Sequence, residues 1–499
     1  MNDWDELGRI LLEWTASGAV EVREDGQWLA GLSGSNYELR QTGKAVLIHL
    51  WSSERNLTRR LLRVRNRTGS RVVLEVQRFG RAKPGSLEFV LVDSQRPRGR
   101  VTREEFRIRF RRFLAERFPD ATIDSLTSAP DLQHSFSGVY VRGLMHEGAR
   151  EHAFLAVSPA ENSAAIEGVL AFGMLWLDWT RGRAQKRPIE GLRVFVPEGA
   201  SRFLRERALA LAPGVRLEIF EFDEAEGRLH KMDTGDAGNL ESRLIPRAET
   251  ESVLFSARGA IARIESLAGV HSELPGNVIA RMTSVADEVA LCFRGLEFAH
   301  WSREGLAFGL GDERRPLTET SRPRLLRLLR DLSRYRSPAA TETAHPLYRA
   351  APERWLETLV LQDPARIDPR LDQHSLYSEV PAVTGRERGV LDILGITLHG
   401  RLVIIELKAS EDIQMPVQAV DYWLRVKRHQ SAGDFQHRGY FTGREISPDP
   451  PLVWLVAPAL RFHPATDTLL RYLSPEISIT RIGLAESWRR GLKVVLRQE

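Results

Sequence analysis

Gly389-Val-Leu-Asp392-Ile-Leu-Gly395-Ile-Thr-Leu-His-Gly400-Arg-Leu-Val-Ile-Ile-Glu406-Leu-Lys408 decides how this chain is read. Residues 402–405 form an unbroken apolar run, the pattern of a strand buried on both faces. Three charges interrupt the region: Asp392 inside an apolar, β-prone segment, and Glu406 and Lys408 closing the buried run. Side chains alternate along a strand, so Glu406 and Lys408 share a face. Gly395 and Gly400 supply turn residues for a hairpin that sets Asp392 one strand away from Glu406. Buried charge is costly unless it is paired or bound to a metal. Two carboxylates and an ammonium at a strand end suit a divalent cation with a phosphate beside it.

An isolated Glu-x-Lys is more often an ordinary solvated strand end, so the flanking sequence has to separate the two readings. Upstream, 352–362 reads as a helix with Glu353 and Glu357 on one face and Leu356, Leu359 and Val360 on the other. Downstream, a helix opens with Gln418 and places Tyr422 one turn later. Only 7 of the 71 basic residues are lysine, yet Lys408 stands where arginine serves almost everywhere else. A compact ammonium with a tunable proton affinity differs chemically from a guanidinium.

The succession Glu357, Asp392, Glu406-Leu407-Lys408 and Gln418-x-x-x-Tyr422 resembles the PD-(D/E)XK nuclease superfamily. Within it, Pro352-Glu-Arg-Trp-Leu-Glu-Thr-Leu-Val360 and the stretch from Gly389 to Lys408 look like the branch of archaeal and actinobacterial mismatch and branched-DNA endonucleases. The Gln-x-x-x-Tyr element is similar to that of RecB-type nucleases. One departure is Leu391, where the family has proline. The resemblance implies a restriction-endonuclease-like α/β domain and a Mg²⁺- or Mn²⁺-dependent deoxyribonuclease, a phosphodiester hydrolase of DNA repair or of defence against foreign DNA. It assigns the metal to Asp392, Glu406, the Leu407 carbonyl and Glu357. It gives charge stabilisation or water orientation to Lys408, and the hold on the scissile strand to Gln418 and Tyr422. The alternative is a nucleic-acid-binding or regulatory subunit with a vestigial nuclease site.

At 499 residues the chain is too long for one core, and several domains are expected. The boundaries read as 1–98 for a small N-terminal β-rich domain, 99–248 for a degenerate, inactive copy of the nuclease fold, 249–345 for a connecting module, and 346–499 for the nuclease domain. The class is α/β and α+β multidomain. Trp4, Leu7, Ile10, Leu11 and Trp14 recur at helical spacing, and Val72, Leu74 and Val76 alternate as in a strand. Residues 95–100 read as a linker.

The middle copy is inferred from the order of elements. A helix carrying Phe106, Phe110, Phe113 and Leu114 precedes a strand at 138–143, a turn at Gly148 and a strand at 152–157. A helix at 166–179, a strand at 192–196, a helix at 201–211 and a strand at 215–222 follow. The C-terminal domain shows the same succession, with strands at 452–456 and 477–482. Tyr140 stands near the place of Asp392, and Ala156-Val157-Ser158 in the place of Glu406-Leu407-Lys408. Without carboxylates this copy is expected to hold no metal.

The connecting module is read as a helix over 253–267, strands at 289–298 and 306–310 joined around Ser302-Arg-Glu-Gly305, and a helix opened by Pro323. On that last helix Arg324, Arg327, Arg330 and Arg334 recur three or four apart. The stripe reads either as a DNA-backbone contact or as the polar side of an amphipathic helix with Asp331 as counterion. Between Arg55 and Lys83, ten Lys or Arg stand against one acidic residue, Glu75, a patch able to face phosphates or simply a solvated sheet.

Other classes are set aside on composition. A single cysteine, Cys292, excludes a disulfide framework and a Cys-based zinc site and fits a reducing cytoplasm. The acidic start Met-Asn-Asp-Trp-Asp-Glu is unlike a signal peptide. The longest apolar stretch, 169–179, is too short to cross a bilayer. No phosphate-binding loop, His-Glu-x-x-His helix or Gly-x-Ser-x-Gly elbow occurs. The expected partner is DNA (branched, mismatched or single-stranded), with no membrane partner and a cytoplasmic location. A homodimer is one assembly that would let both strands be cut.

Overall fold

The computed structural model describes residues 3–17, 19–24, 27–32, 37–42, 45–51, 56–69, 71–77, 84–92, 103–131, 133–183, 187–235, 242–269, 273–283, 288–311, 313–384 and 387–499. The expected linker at 95–100 lies outside these. The chain is a mixed α/β multidomain protein with four sheets among the described residues. It divides into two compact units, Met1–Arg100 with Ala344–Ala350, and Val101–Thr343 with Ala351–Glu499.

In the smaller unit, alternation of apolar and polar residues produces an antiparallel sheet with one buried face. Val72, Leu74 and Val76 of strand Arg71–Gln77 point inward while their neighbours do not. The spatial order is Gln27–Leu32, Ala19–Glu24, Gly85–Val92, Arg71–Gln77, Asn56–Arg67, Ala45–Trp51, Tyr37–Thr42. Helix Asp3–Ser17 lays Leu7, Leu11 and Trp14 on the core formed by Val22, Ile48, Leu74 and Phe89.

The larger unit holds two sheets of one plan. The first begins with helix α1 (Arg103–Arg117) and strands β1 (Ala121–Thr127), β2 (Tyr140–Glu147) and β3 (Arg150–Val157). Helix α2 (Ser163–Arg183), strand β4 (Ile189–Pro197), helix α3 (Arg202–Ala208) and strands β5 (Arg216–Asp223) and β6 (Arg228–Met232) complete it. The second begins with α4 (Pro352–Gln362), β7 (Leu371–Thr384), β8 (Glu387–Thr397) and β9 (Leu402–Leu407). It continues with α5 (Met415–Ser431), β10 (Leu452–Pro458), α6 (Thr466–Arg471), β11 (Ile479–Leu484) and β12 (Val494–Gln498).

Strand order is β1-β2-β3-β4-β5-β6 in one sheet and β7-β8-β9-β10-β11-β12 in the other, where Ser242–Leu244 adds a further strand beside β7. That addition crosses the boundary expected at 248. In both sheets the first three strands pair antiparallel, the next two join in parallel, and the last returns antiparallel. Parallel neighbours require a crossover, which α2 and α3 supply in the first sheet and α5 and α6 in the second.

One face of each sheet and these four helices enclose a single apolar core, in which Leu155, Val194 and Trp176 join Ile404, Leu455 and Trp423. The other face of the first sheet lies under α1, whose Phe106, Phe110 and Phe113 pack with Phe195 and Phe222. Sequence periodicity does not mark β1, β6 or β12, because none of the positions in these short edge strands is buried, so no face of them must be apolar. Helix α5 starts at Met415, three residues before Gln418, with Pro416 in its first turn, where a missing N–H costs nothing. Helix α3 stops at Ala208, short of the expected 211.

The connecting module is a five-stranded antiparallel sheet (Val278–Met282, Val289–Phe293, Leu296–Ser302, Gly305–Phe308, Arg315–Pro316) with helices Arg247–Ser256, Arg258–Ala268 and Arg322–Tyr335. The run 289–298, expected as one strand, breaks at Arg294 and Gly295, with φ of 47° and 76°. Two consecutive left-handed residues make the tight turn that suits the twist of a hairpin. Gly295 is required there because a Cβ would stand 2.2 Å from the Arg354 carbonyl oxygen. Arg336, 0% exposed, donates from Nη2 to the carbonyls of Arg294 at 2.7 Å and Ala351 at 3.3 Å, tying the hairpin to the start of α4. Gly295→Ala is expected to lower the stability of this unit by about 2 kcal/mol or more, from left-handed strain plus the clash. A urea midpoint equal to that of the unsubstituted protein would refute this.

Candidate active site

Strands β8 and β9 pair from Ile396/Leu402 to Ile393/Ile405, where the ladder ends. One step further, the register sets Asp392 opposite Glu406. Both fall on the face that carries Leu394, Ile396, Leu402 and Ile404 into the shared core. In place of a backbone bond, Asp392 Oδ2 accepts the Leu407 N–H at 3.0 Å. The Leu407 carbonyl leaves the strand on the same side as that N–H. All of β9 is buried, as the apolar run requires.

Glu406 is 2% exposed. Burial, then the neighbouring Asp392, push its carboxyl up to about 8, although Lys408 works the other way. Burial likewise raises Asp392 to about 6, opposed by the Leu407 N–H and assisted by Glu357. Lys408 Nζ stands 3.1 Å from Glu406 Oε1 and 3.5 Å from Asp412 Oδ2. Burial works to lower the Lys408 pKa, but these two carboxylates outweigh it and hold the ammonium above its usual range. Asp412, four residues from Lys408, was within reach of sequence reasoning and escaped it.

Glu357 sits on the buried side of α4 at 1% exposure. Its Oε2 is held by Arg281 at 2.9 Å and Arg354 at 3.0 Å. Arg281 belongs to the connecting module, so this pair joins the module to the site; nothing in the sequence signals a contact over that separation. Tyr422 lies close enough to Glu406 and Asp392 for their charges, after burial, to raise its hydroxyl well above the usual phenol range. Gln418 is one turn before Tyr422 on α5. The structure therefore gathers Asp392, Glu406, Leu407, Lys408 and Tyr422, with Glu357 at the edge and committed to arginine.

Three buried acceptor oxygens at these residues have no hydrogen-bond donor among the described residues: Glu406 Oε2, Glu357 Oε1 and Gln418 Oε1. Such atoms are costly to bury unpaired, and a hard cation with oxygen affinity would satisfy those within its reach. Among the described residues no group of three or more His, Cys, Asp or Glu stands as a metal cluster on its own. The donors present fit a cation of the Mg²⁺ type, which takes one or two carboxylates and completes its shell with water and phosphate.

The arginine stripe and the basic sheet fare differently. Arg324, Arg327 and Arg330 are exposed on helix Arg322–Tyr335 and form no ion pair among the described residues, while Arg334 pairs with Glu342 at 3.2 Å. In the N-terminal sheet, Arg59 pairs with Glu24, Arg63 and Arg65 with Glu75, Arg67 with Glu6 and Arg71 with Glu88. Much of the described part of that patch is thus neutralised internally. His429 is buried against Asp434 at 2.7 Å, a structural contact, and His399 is exposed in its turn. Two open clefts of about 740 and about 1040 Å³ lie elsewhere, one lined by Arg247, Arg438 and Arg444, the other by Arg401, Trp454 and Arg481. No helix among the described residues is long and apolar enough to cross a membrane.

No protein-family model matches the chain, and no curated protein does. A solved structure of Can2 from Sulfobacillus thermosulfidooxidans, in complex with cyclic tetra-adenylate (cA4), is similar at 9% identity and TM-score 0.15, over 62% of this chain and 89% of that one.

Proposed function

We propose that the chain is a metal-dependent endonuclease that hydrolyses DNA phosphodiesters at Asp392, Glu406 and Lys408. The observation that carries this reading is the Glu406 carboxylate, buried beside Asp392 with an ammonium 3.1 Å from one oxygen and, among the described residues, no donor for the other. A fold gains no stability from a buried carboxyl set beside a second, half-buried one, and strongly perturbed groups of this kind cluster at functional sites.

Asp392, Glu406 and the Leu407 carbonyl would hold Mg²⁺ or Mn²⁺. When bound, the ion supplies Lewis-acid polarisation of a phosphoryl oxygen and a lowered pKa for a coordinated water. Lys408 places a positive charge where negative charge develops on the phosphoryl group, and its three donors can orient the attacking water. Tyr422 and Gln418 offer a hydroxyl and an amide to the strand being cut. Arg324, Arg327 and Arg330, unpaired among the described residues, suit the phosphate backbone. Purified protein is expected to cleave end-labelled DNA from a panel of branched, mismatched, single-stranded and duplex substrates in Mg²⁺ or Mn²⁺, and to stop when the ion is chelated. Absence of cleavage across both metal titrations would overturn the reading.

A further inference from the structure

We infer that the chain is an internally paired nuclease with one competent site, whose middle domain fills the position of a second subunit, so that one chain cuts one strand of a duplex. This inference rests on the nuclease reading of the Asp392 site.

The matching strand order and pairing of the two sheets set α2 against α5 as equivalents, and α3 against α6. The contacts between the halves are reciprocal in those terms. Helix α2 packs on α6, and α5 packs on α3. Leu211, just after α3, forms an antiparallel bridge with Leu473, just after α6. The bridge is flanked symmetrically by Ala212 N–H donating to the Tyr472 carbonyl at 2.9 Å and Ser474 N–H donating to the Ala210 carbonyl at 2.8 Å. Each helix pairing also carries an arginine–aspartate pair, at different turns: Arg207 of α3 with Asp421 of α5 at 2.7 Å, and Arg471 of α6 with Asp178 of α2 at 3.2 Å. A surface that meets itself in this way is isologous, the mark of a two-fold pair. Here both partners lie in one chain and share one apolar core.

The first half lacks the chemistry. Tyr140 and Val157 are direct cross-strand partners on the core face, the places that Asp392 and Glu406 hold in the second half. Face parity thus puts Val157, and not the expected Ala156, in the position of Glu406, with Pro159 two residues on in that of Lys408. The Tyr140 hydroxyl donates to the Ala165 carbonyl at 2.7 Å and its ring packs on Phe172 at 4.9 Å. Gly168 admits that hydroxyl, since a Cβ there would lie 2.6 Å from it. A phenol and an isopropyl group offer no carboxylate to a cation. The face through which two such domains pair is also occupied already, so the chain needs no second copy there.

The test follows the full chain on supercoiled plasmid in Mn²⁺ and counts Mn²⁺ bound by titration calorimetry. The expected result is nicked circle accumulating before any linear product, one Mn²⁺ per chain, and loss of both in Asp392→Ala. Linear product formed in a single encounter, or a second Mn²⁺ per chain that stays bound in Asp392→Ala, would overturn the single-site inference and leave the nuclease reading intact, whereas nicking that survives Asp392→Ala would overturn the nuclease reading of that site and this inference with it. No bound Mn²⁺ and no cleavage would overturn both.

Discussion

Asp392→Asn and Lys408→Ala are each expected to bind DNA as the unsubstituted chain does and to cut it about 10²–10³-fold more slowly, the scale on which loss of one charge-stabilising group acts. Asparagine is the informative choice at 392, because its amide oxygen can still accept the Leu407 N–H that Asp392 Oδ2 holds at 3.0 Å. It removes the charge without orphaning a backbone donor, a change that would by itself cost about 1–3 kcal/mol. Lys408→Ala acts on the other partner. Glu406, buried and already raised to about 8, loses the ammonium at 3.1 Å that favours its ionised form. Lys408→Arg should not rescue, since a planar fork replaces a compact, strongly hydrated point charge. Gel-shift and cleavage assays on one substrate panel separate binding from chemistry. Cleavage at an undiminished rate in either variant would remove these residues from the reaction.

Arg207→Ala is expected to destabilise the larger unit by about 3–5 kcal/mol, the usual consequence of breaking a buried ion pair from one side. Arg207 is 5% exposed and meets Asp421 through Nε at 2.8 Å and Nη2 at 2.7 Å, while Nη1 donates to the Glu167 carbonyl at 2.6 Å. Removing it strands a carboxylate and a carbonyl between the two sheets. Arg471→Ala breaks the other arginine–aspartate pair, but the Arg471 side chain is 62% exposed, and exposed pairs contribute little. The two variants compared by urea unfolding should therefore diverge. Equal midpoints would show that the Arg207 contact does not hold the halves together.

What the sequence disclosed follows from which forces are local. Residues 402–405 could be read because a strand buried on both faces needs an unbroken apolar run, and the charges that break the pattern were conspicuous against it. Edge strands such as β12 could not, since solvent takes the place of a partner on one side and none of its positions is buried, so no apolar periodicity is imposed. The turn at Arg294 and Gly295 hid inside an apolar stretch because its glycine answers to Arg354, 59 residues away along the chain. The clasp of Arg281 on Glu357 is likewise a matter of tertiary approach. The displacement from Ala156 to Val157 shows how a period of two turns a one-residue slip into the opposite face.

The common core also constrains how the chain can be made. Helix α2 ends at Arg183 and α6, which packs on it, begins only at Thr466. At a synthesis rate of about 5–20 residues per second, roughly 15–60 seconds separate the two on the ribosome. For that interval Trp176, Leu177 and Val194 lack the side chains that finally enclose them, so a nascent chain stalled in the connecting module should be sticky and should engage chaperones.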